Sequence, residues 1–290
     1  MSEVAILVNE DTRVIIQGAT GKQGSFHTQR MMEYGVDVVG GVTPGKGGQA
    51  VHGVPIFDTI SEAKKKTRVN ASMIMVPAAG VLSAALEAIE NKIPLVVVIT
   101  EFVPFHDMLV IRRIAQKEGI RVIGPNTFGV ISPGKSQIGI MPGFIYGPGN
   151  IGIIARSGTL THEIASNLKY KGMGQSTCVG IGGDPVKGSD FIDILKLFRD
   201  DDETESIILV GEIGGANEEM AARYIQETDY PKRITAFIAG STAPAEKRMG
   251  HAGAIISGGL GTADSKAKCL EAAGVAVART LEEVLELAKG

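Results

Sequence analysis

Short runs of branched apolar residues alternate with longer stretches of helical periodicity along the whole chain of 290 residues. In the first half the apolar runs are Arg13–Gln17, Val36–Val42, Ala71–Val76, Pro94–Thr100 and Arg121–Gly124, each bounded by glycine, proline or a polar turn. Most are almost continuously apolar, the pattern of strands covered on both faces. Between them, Gly24–Tyr34, Thr59–Lys66, Gly80–Asn91 and Met108–Glu118 read as helices. Strand, helix and strand repeated in this way predict a doubly wound parallel sheet of the α/β class. The pattern restarts with strands at Ile151–Ala155, Ser176–Gly180, Ser206–Val210, Arg233–Ala239 and Val275–Ala278. Helices are expected at Thr159–Lys171, Asp190–Phe198, Ala216–Gln226 and Ala263–Ala273. In the passage between the halves, residues 124–150, glycine or proline fills eleven of 27 positions. Such a passage should hold neither a long helix nor a central strand, and a domain boundary is expected near Gly124–Gly129. A second, flavodoxin-like α/β domain follows it.

Composition narrows the function. Glycine occurs 38 times, about 13% of the chain, almost twice the ordinary share of roughly 7%. No collagen-like period runs through it, so the glycines serve turns or close approach of backbone to a ligand. A net charge of −3 lacks the footprint of a nucleic-acid binder. Aromatic residues at 5% and the absence of tryptophan argue against stacking platforms for bases or sugars. The apolar run Ile93–Thr100 contains a proline and is far too short to span a bilayer, and no charged-then-apolar signal segment is expected at the start. Cys178 and Cys269 form neither a metal spacing nor a disulfide framework. These features lead us to expect a cytoplasmic protein.

The first chemistry lies at Gln17-Gly18-Ala19-Thr20-Gly21-Lys22-Gln23-Gly24, between a predicted strand and a helix. Backbone N–H groups reach a phosphate only where glycine allows the chain to come close at a helix start. The spacing G-x-x-G-x-x-G departs from the dinucleotide fingerprint, and too few residues precede Gly21-Lys22 for a P-loop. A glycine turn that only packs strand on helix is the plainer reading, but its place after a first parallel strand favours a ligand. The next strand carries its sole acid, Asp37, near the start rather than at the end, where a nicotinamide ribose would need one. It exits into Thr43-Pro44-Gly45-Lys46-Gly47-Gly48, and a lysine there suits a phosphate near the ribose, as in NADP or coenzyme A.

In the second half Arg156-Ser157-Gly158-Thr159 joins a strand to a helix, which is either an anion site or an ordinary N-cap. Five histidines occur, at positions 27, 52, 106, 162 and 251, and no pair has helical metal spacing, so no metal site is expected. His251 stands among small residues in Lys247-Arg248-Met249-Gly250-His251-Ala252-Gly253-Ala254, with room for a large group on its ring and two cations nearby for phosphate charge. Alone, one histidine on a glycine loop is more often structural than nucleophilic.

Taken together, these stretches resemble the α subunits of the succinyl-CoA synthetase (succinate–CoA ligase) family along nearly the full chain. The matching segments are Gly18–Gly24, Gly40–Gly48, Ile99–Glu101, Gly124–Asn126, Arg156–Thr161, Gly180–Pro185, Gly211–Gly215 and Arg248–Ile255. The resemblance implies a CoA-binding Rossmann-like domain over residues 1–126 and a flavodoxin-like ligase domain over 127–290. It also implies a β subunit with an ATP-grasp fold, in an αβ or α2β2 assembly, supplying Mg2+ and ATP/ADP or GTP/GDP. By the same resemblance His251 takes a phosphoryl group from an acyl phosphate and passes it to the nucleotide, and Glu212 orients the ring. Ser157, Gly158 and Thr159 match the helix start that holds the phosphoryl group. Thr20, Gly21, Lys22, Gln23, Lys46, Ile99, Thr100 and Glu101 match the family's CoA contacts. His162 replaces a tyrosine associated with the acid substrate, Thr127-Phe128 replaces Cys-Pro, and Phe144 replaces another family histidine. Succinate and phosphate are the implied substrates, within the tricarboxylic acid cycle. A malate–CoA ligase subunit shares the architecture and is the alternative acid. Outside the ligases stand an NADP-dependent oxidoreductase, which gives His251 no task, and a CoA-binding sensor, which needs only the first half.

Overall fold

The computed structural model describes residues 6–244, 249–256 and 261–289. A first sheet contains β1 (Arg13–Gln17), β2 (Asp37–Val42), β3 (Ala50–Val51), β4 (Val54–Phe57), β5 (Ala71–Ile74), β6 (Leu95–Val98) and β7 (Arg121–Ile123). Their order is β3-β4-β2-β1-β5-β6-β7, and all neighbours are parallel except β3 and β4. Apart from β3 this is the Rossmann order, with its switch of winding direction between β1 and β5. The crossovers are α1 (Lys22–Tyr34), α2 (Ile60–Lys64), α3 (Val81–Glu90) and α4 (Phe105–Glu118). Both faces are covered: Val14, Ile16 and Met73 belong to one apolar cluster, while Ile15, Ile74 and Val96 meet Ala85, Ala88 and Ile111 in another. Every residue of β5 and β6 is therefore buried, which is why these strands show no alternation.

The second sheet contains β8 (Gly129–Ser132), β9 (Ser136–Gly139), β10 (Pro148–Ala155), β11 (Gln175–Gly180), β12 (Ser206–Glu212), β13 (Arg233–Ala239) and β14 (Ala276–Ala278). Its order is β14-β13-β12-β10-β11-β8-β9. The strands from β10 onward are parallel in the flavodoxin order, with the switch between β10 and β12. Helices α5 (Gly158–Tyr170), α6 (Phe191–Arg199), α7 (Asn217–Glu227), α8 (Ala263–Ala272) and α9 (Leu281–Lys289) complete it. A capping box between Asp190 and Asp193 sets the start of α6, fixing where the chain turns in from the neighbouring domain. There Gly188 N–H donates to the Gly124 carbonyl at 2.9 Å and Ser189 Oγ donates to the Val122 carbonyl at 2.8 Å.

The expectation that residues 124–150 hold no central strand is corrected. β8 lies between β11 and β9, paired antiparallel to both. Gly129 sits opposite Gly139 in the β8–β9 register, with φ of 108° and 148°. A Cβ on Gly129 would fall 2.0 Å from the Ile138 carbonyl oxygen. These glycines permit a close crossing of two strands rather than breaking them. The sequence pattern also does not announce the β3–β4 hairpin or α9, and the helix expected at Thr59–Lys66 is only Ile60–Lys64.

Gly129→Ala should lower unfolding free energy by about 3 kcal/mol, since the new methyl group meets backbone on both sides of a buried ladder. Gly172→Ala, also at positive φ but with nothing within 4 Å of the added carbon, should lose only about 1 kcal/mol. Urea midpoints of the two variants provide the comparison, and equal losses would remove the steric explanation.

Candidate active site

The carboxyl ends of both sheets open onto one cleft of about 440 Å³. Gln23 reaches it from α1, Ile99 and Glu101 from beyond β6, Ser157, Gly158, Thr159 and His162 from α5 and its approach, and His251 from the last long loop. Eight residues singled out in the sequence thus converge on one space. Glu212 stands behind His251 rather than in the cleft itself.

On the first domain's side, Gly21 caps α1 without any side-chain hydrogen bond, so the first-turn N–H groups of Lys22 and Gln23 have no internal partner. Lys46 Nζ donates to Thr20 Oγ1 at 3.2 Å, and Thr20 Oγ1 donates to Thr43 Oγ1 at 3.1 Å. A cation is thereby tethered over the glycine turn. Thr100 Oγ1 donates to the Val76 carbonyl at 2.7 Å, and Ile99 is buried, so these two form the floor beside the switch point. Asp37 lies at the start of β2, paired with Arg13 at 2.7 Å, away from any ribose-binding position.

On the second domain's side, β12 ends at Glu212 and β10 runs out into Arg156. His251 Nδ1 donates to Glu212, with 2.8 Å to Oε2 and 3.0 Å to Oε1. The carboxylate therefore selects the Nδ1–H tautomer and leaves Nε2 with its lone pair. Arg156 Nη2 pairs with Glu212 Oε1 at 3.0 Å, setting a cation against this buried side chain. His251 packs flat against Gly183, where a Cβ would stand 2.3 Å from the ring Cγ. Ser157 is the N-cap of α5, and Gly158 and Thr159 occupy its first turn, where N–H groups have no carbonyl one turn back. A neutral nucleophilic nitrogen and a helix start on one cleft can accept and hold a phosphoryl group.

The hydrogen bond that His251 donates to Glu212 raises the His251 pKa; burial and Arg156 oppose it, while the Glu212 and Asp184 charges add to it. Lys187 nearby is pushed down to about 8 chiefly by burial, and its Nζ donates to the Asp184 carbonyl at 2.8 Å. His162 is lowered by burial. Its Nδ1 lies 2.7 Å from the Tyr146 hydroxyl, and its ring meets the edges of Phe128 and Tyr146. Burial keeps the Tyr146 phenol protonated. Taking that phenol as donor assigns the His162 proton to Nε2, the ring's free polar atom.

Lys247 and Arg248, offered as phosphate-neutralising cations, lie outside the described residues. The sequence alone assigns no individual role to Arg156, Glu218, Lys266 or Tyr146. Glu218 and Lys266 carry a legible signal: each sits on an apolar stripe, with Ala221, Ala222 and Ile225 in α7 and with Ala263, Ala267 and Leu270 in α8. A charge in such a stripe is buried and therefore partnered.

The chain matches family models described as "CoA binding domain" over residues 9–102 and "CoA-ligase" over residues 154–276. It is 54% identical over 98% of its length to "Succinate--CoA ligase [ADP-forming] subunit alpha 2" of Archaeoglobus fulgidus, covering 98% of that protein. Against "Succinate--CoA ligase [ADP-forming] subunit alpha" of Methanothermobacter thermautotrophicus the identity is 55%, over 94% of this chain and 92% of the relative. The chain belongs to the succinate–CoA ligase α-subunit family. Among solved structures it is similar to ATP citrate lyase from Methanothrix soehngenii in complex with citrate and coenzyme A. That likeness has a TM-score of 0.89 and 26% identity over 98% of this chain, which spans 50% of the larger chain. Among the described residues no helix is long and apolar enough to cross a membrane. Within this family the two sheets correspond to a CoA-binding half and a CoA-ligase half.

Because folding raises the His251 pKa, the folded state holds that proton more tightly than the unfolded one. The resulting stability is fully present below the unfolded pKa and is lost as pH rises through the folded pKa. Glu212→Gln should lower the His251 pKa, read as the Cε1–H titration by NMR. An unchanged titration would show that Glu212 does not set it.

Proposed function

We propose that this chain is the catalytic α subunit of a succinate–CoA ligase, working with a β subunit that carries the nucleotide and Mg2+ on an ATP-grasp fold. The reading divides the chain into a CoA-binding unit over residues 1–126 and a ligase unit over 127–290. Supporting it above all is the placement of His251, with Nδ1 held by Glu212 and its ring on a cleft shared with the start of α5.

In the direction of nucleotide synthesis, phosphate attacks the thioester carbon of succinyl-CoA, the C–S bond breaks, and CoA leaves as the thiol. The product is succinyl phosphate. His251 Nε2 then attacks its phosphorus in line; the bond to the acyl oxygen breaks and succinate departs. Finally a terminal oxygen of ADP or GDP attacks the phosphohistidine phosphorus, and His251 leaves with its ring neutral. Each transfer depends mainly on positioning and on charge stabilisation. Glu212 supports the positive ring of the phosphohistidine, and the N–H groups at Gly158 and Thr159 face the phosphoryl oxygens. Thr20, Gly21, Lys22, Gln23, Ile99, Thr100 and Glu101 contact CoA, and Lys46 takes its 3′-phosphate. His162 Nε2–H binds the distal carboxylate of the acid. The cytoplasm is the expected compartment.

Incubation of the αβ complex with labelled ATP and Mg2+ should give acid-labile, base-stable label on His251 alone. His251→Asn should abolish that label and net synthesis while keeping CoA binding and assembly; label surviving in this variant ends the mechanism. Lys46→Ala should weaken CoA more than dephospho-CoA, whereas equal losses would take the 3′-phosphate from Lys46. Across succinate, malate, citrate and acetate, succinate should give the highest kcat/KM. A tenfold preference for malate, about 1.4 kcal/mol of transition-state discrimination, would make the malate ligase the correct reading.

A further inference from the structure

Behind Glu212 the chain buries a row of alternating charges. Arg156 is 3% exposed, and Glu218 and Lys266 are fully buried. Arg156 Nη1 donates to Glu218 Oε1 at 3.1 Å and to the carbonyls of Glu212 and Gly214 at 3.3 and 3.2 Å. The same Glu218 oxygen accepts the backbone N–H of Glu212 at 3.2 Å. Glu218 Oε2 accepts from Lys266 Nζ at 2.5 Å, and Lys266 also reaches Glu219 at 2.8 Å and the Gly215 carbonyl at 2.9 Å. Burial works against the charged form of Glu218, yet Arg156 and Lys266 together hold its pKa below the usual carboxylate value.

The geometry of this row divides the work of one arginine between two carboxylates. Arg156 gives Nη2 to Glu212 and Nη1 to Glu218, and its Nε has no partner among the described residues. A guanidinium facing a single carboxylate closes on it with two parallel bonds. Were Glu218 absent, nothing charged would hold Nη1 back, and Arg156 would compete with His251 for both oxygens of Glu212. We infer that Glu218 is a positioning residue for the phosphoryl relay: by anchoring Arg156 and the Glu212 backbone it leaves Glu212 Oε2 available to His251. Lys266 neutralises Glu218 and serves stability rather than alignment. This inference rests on the phosphohistidine reading for its effect on rate, but its geometric content does not.

Among the described residues, the charged groups around His251 are Glu212 at the end of β12, Arg156 beyond β10, Asp184 beyond β11 and Glu101 beyond β6, the last across the adjoining cavities. His27 and His162 share the cleft. None of these changes in the test, which replaces Glu218 and Lys266 together so that no lone charge stays buried. The double variant Glu218→Leu/Lys266→Met exchanges a buried ion pair for apolar side chains, a change that folds tolerate. In the full-length α chain it should shift the His251 Cε1–H titration to lower pH and mix its two neutral tautomers, read from the ring ¹⁵N shifts. In the αβ complex, phosphoryl labelling at pH 7 should fall by about tenfold, with the acid limb of the labelling-rate profile displaced the same way. Lys266→Met alone should melt earlier without lowering the His251 titration, because Glu218 still holds Arg156. Glu218→Gln, which keeps an acceptor for Arg156, should recover part of the labelling. An unmoved titration and unmixed tautomers in the double variant overturn the inference, as does the same fall in Lys266→Met alone. A shifted titration in a protein whose wild type takes no label on His251 would instead sink the phosphohistidine reading and leave the positioning role standing.

Discussion

Glu212 has to remain an anion where almost no water reaches it. Its side chain is 9% exposed, and a lone carboxylate at that depth would take up a proton rather than bear the cost of desolvation. Protonated, it would lose the power to orient His251 as a charged acceptor and to balance a positive ring. Arg156 is the answer to this constraint; its own burial is answered by Glu218, whose charge Lys266 balances in turn. The placement of these residues follows. Arg156 must lie beyond β10 and Glu212 at the end of β12, because those are the neighbouring strands whose carboxyl ends meet at the switch of the second sheet. A side chain one strand further out would not reach.

The same constraint decides what sort of phosphate site the cleft offers. On the ligase side the proposed phosphoryl site draws on N–H groups at the start of α5. N–H groups at a helix start are already aimed and need no reorganisation when charge develops, whereas a lysine would have to be desolvated and immobilised. Lys187, a buried cation nearby beside Arg156, donates to the Asp184 carbonyl, bracing the loop on which Gly183 supports the histidine ring. The first domain makes the opposite choice: Lys46 is exposed and linked only through Thr20 and Thr43, as suits a group that closes on a ligand arriving from solvent.

Most of the parallel core was legible because strands buried on both faces write themselves as continuous apolar runs. The stretches Ala71–Ile74 and Leu95–Val98 could hardly be anything else. The hairpin β8–β9 was not legible, since glycines that allow two backbones to cross look identical, in one dimension, to glycines that end a strand. The residues proposed to touch substrate were found through the family resemblance, with the glycine turn and the Ser157 helix start visible on chemistry alone. What the sequence hid was the support behind them. Glu218 and Lys266 lie 48 positions apart and become partners only when α7 and α8 are packed side by side, so their apolar neighbours announce burial without naming the partner.

The proposed acid side of the cleft obeys a looser rule than the phosphoryl side. Transfer of a phosphoryl group needs a nucleophile, its orienting carboxylate and donors for three oxygens in fixed relation, so a single change disables it. Holding the far end of a small acid needs only one well-aimed donor and walls of suitable shape. Tyr146, His162 and Phe128 are proposed as such a unit: the buried phenol lies 2.7 Å from the imidazole, and the Phe128 ring packs T-shaped against it. A histidine in that setting stays neutral through burial and presents an N–H where a tyrosine would present an O–H. Exchanging one for the other moves the donor by roughly the difference in side-chain length and alters discrimination among acids by about 1–3 kcal/mol. In the proposed mechanism it leaves untouched the chemistry at His251, which rests on Glu212, Arg156 and the start of α5.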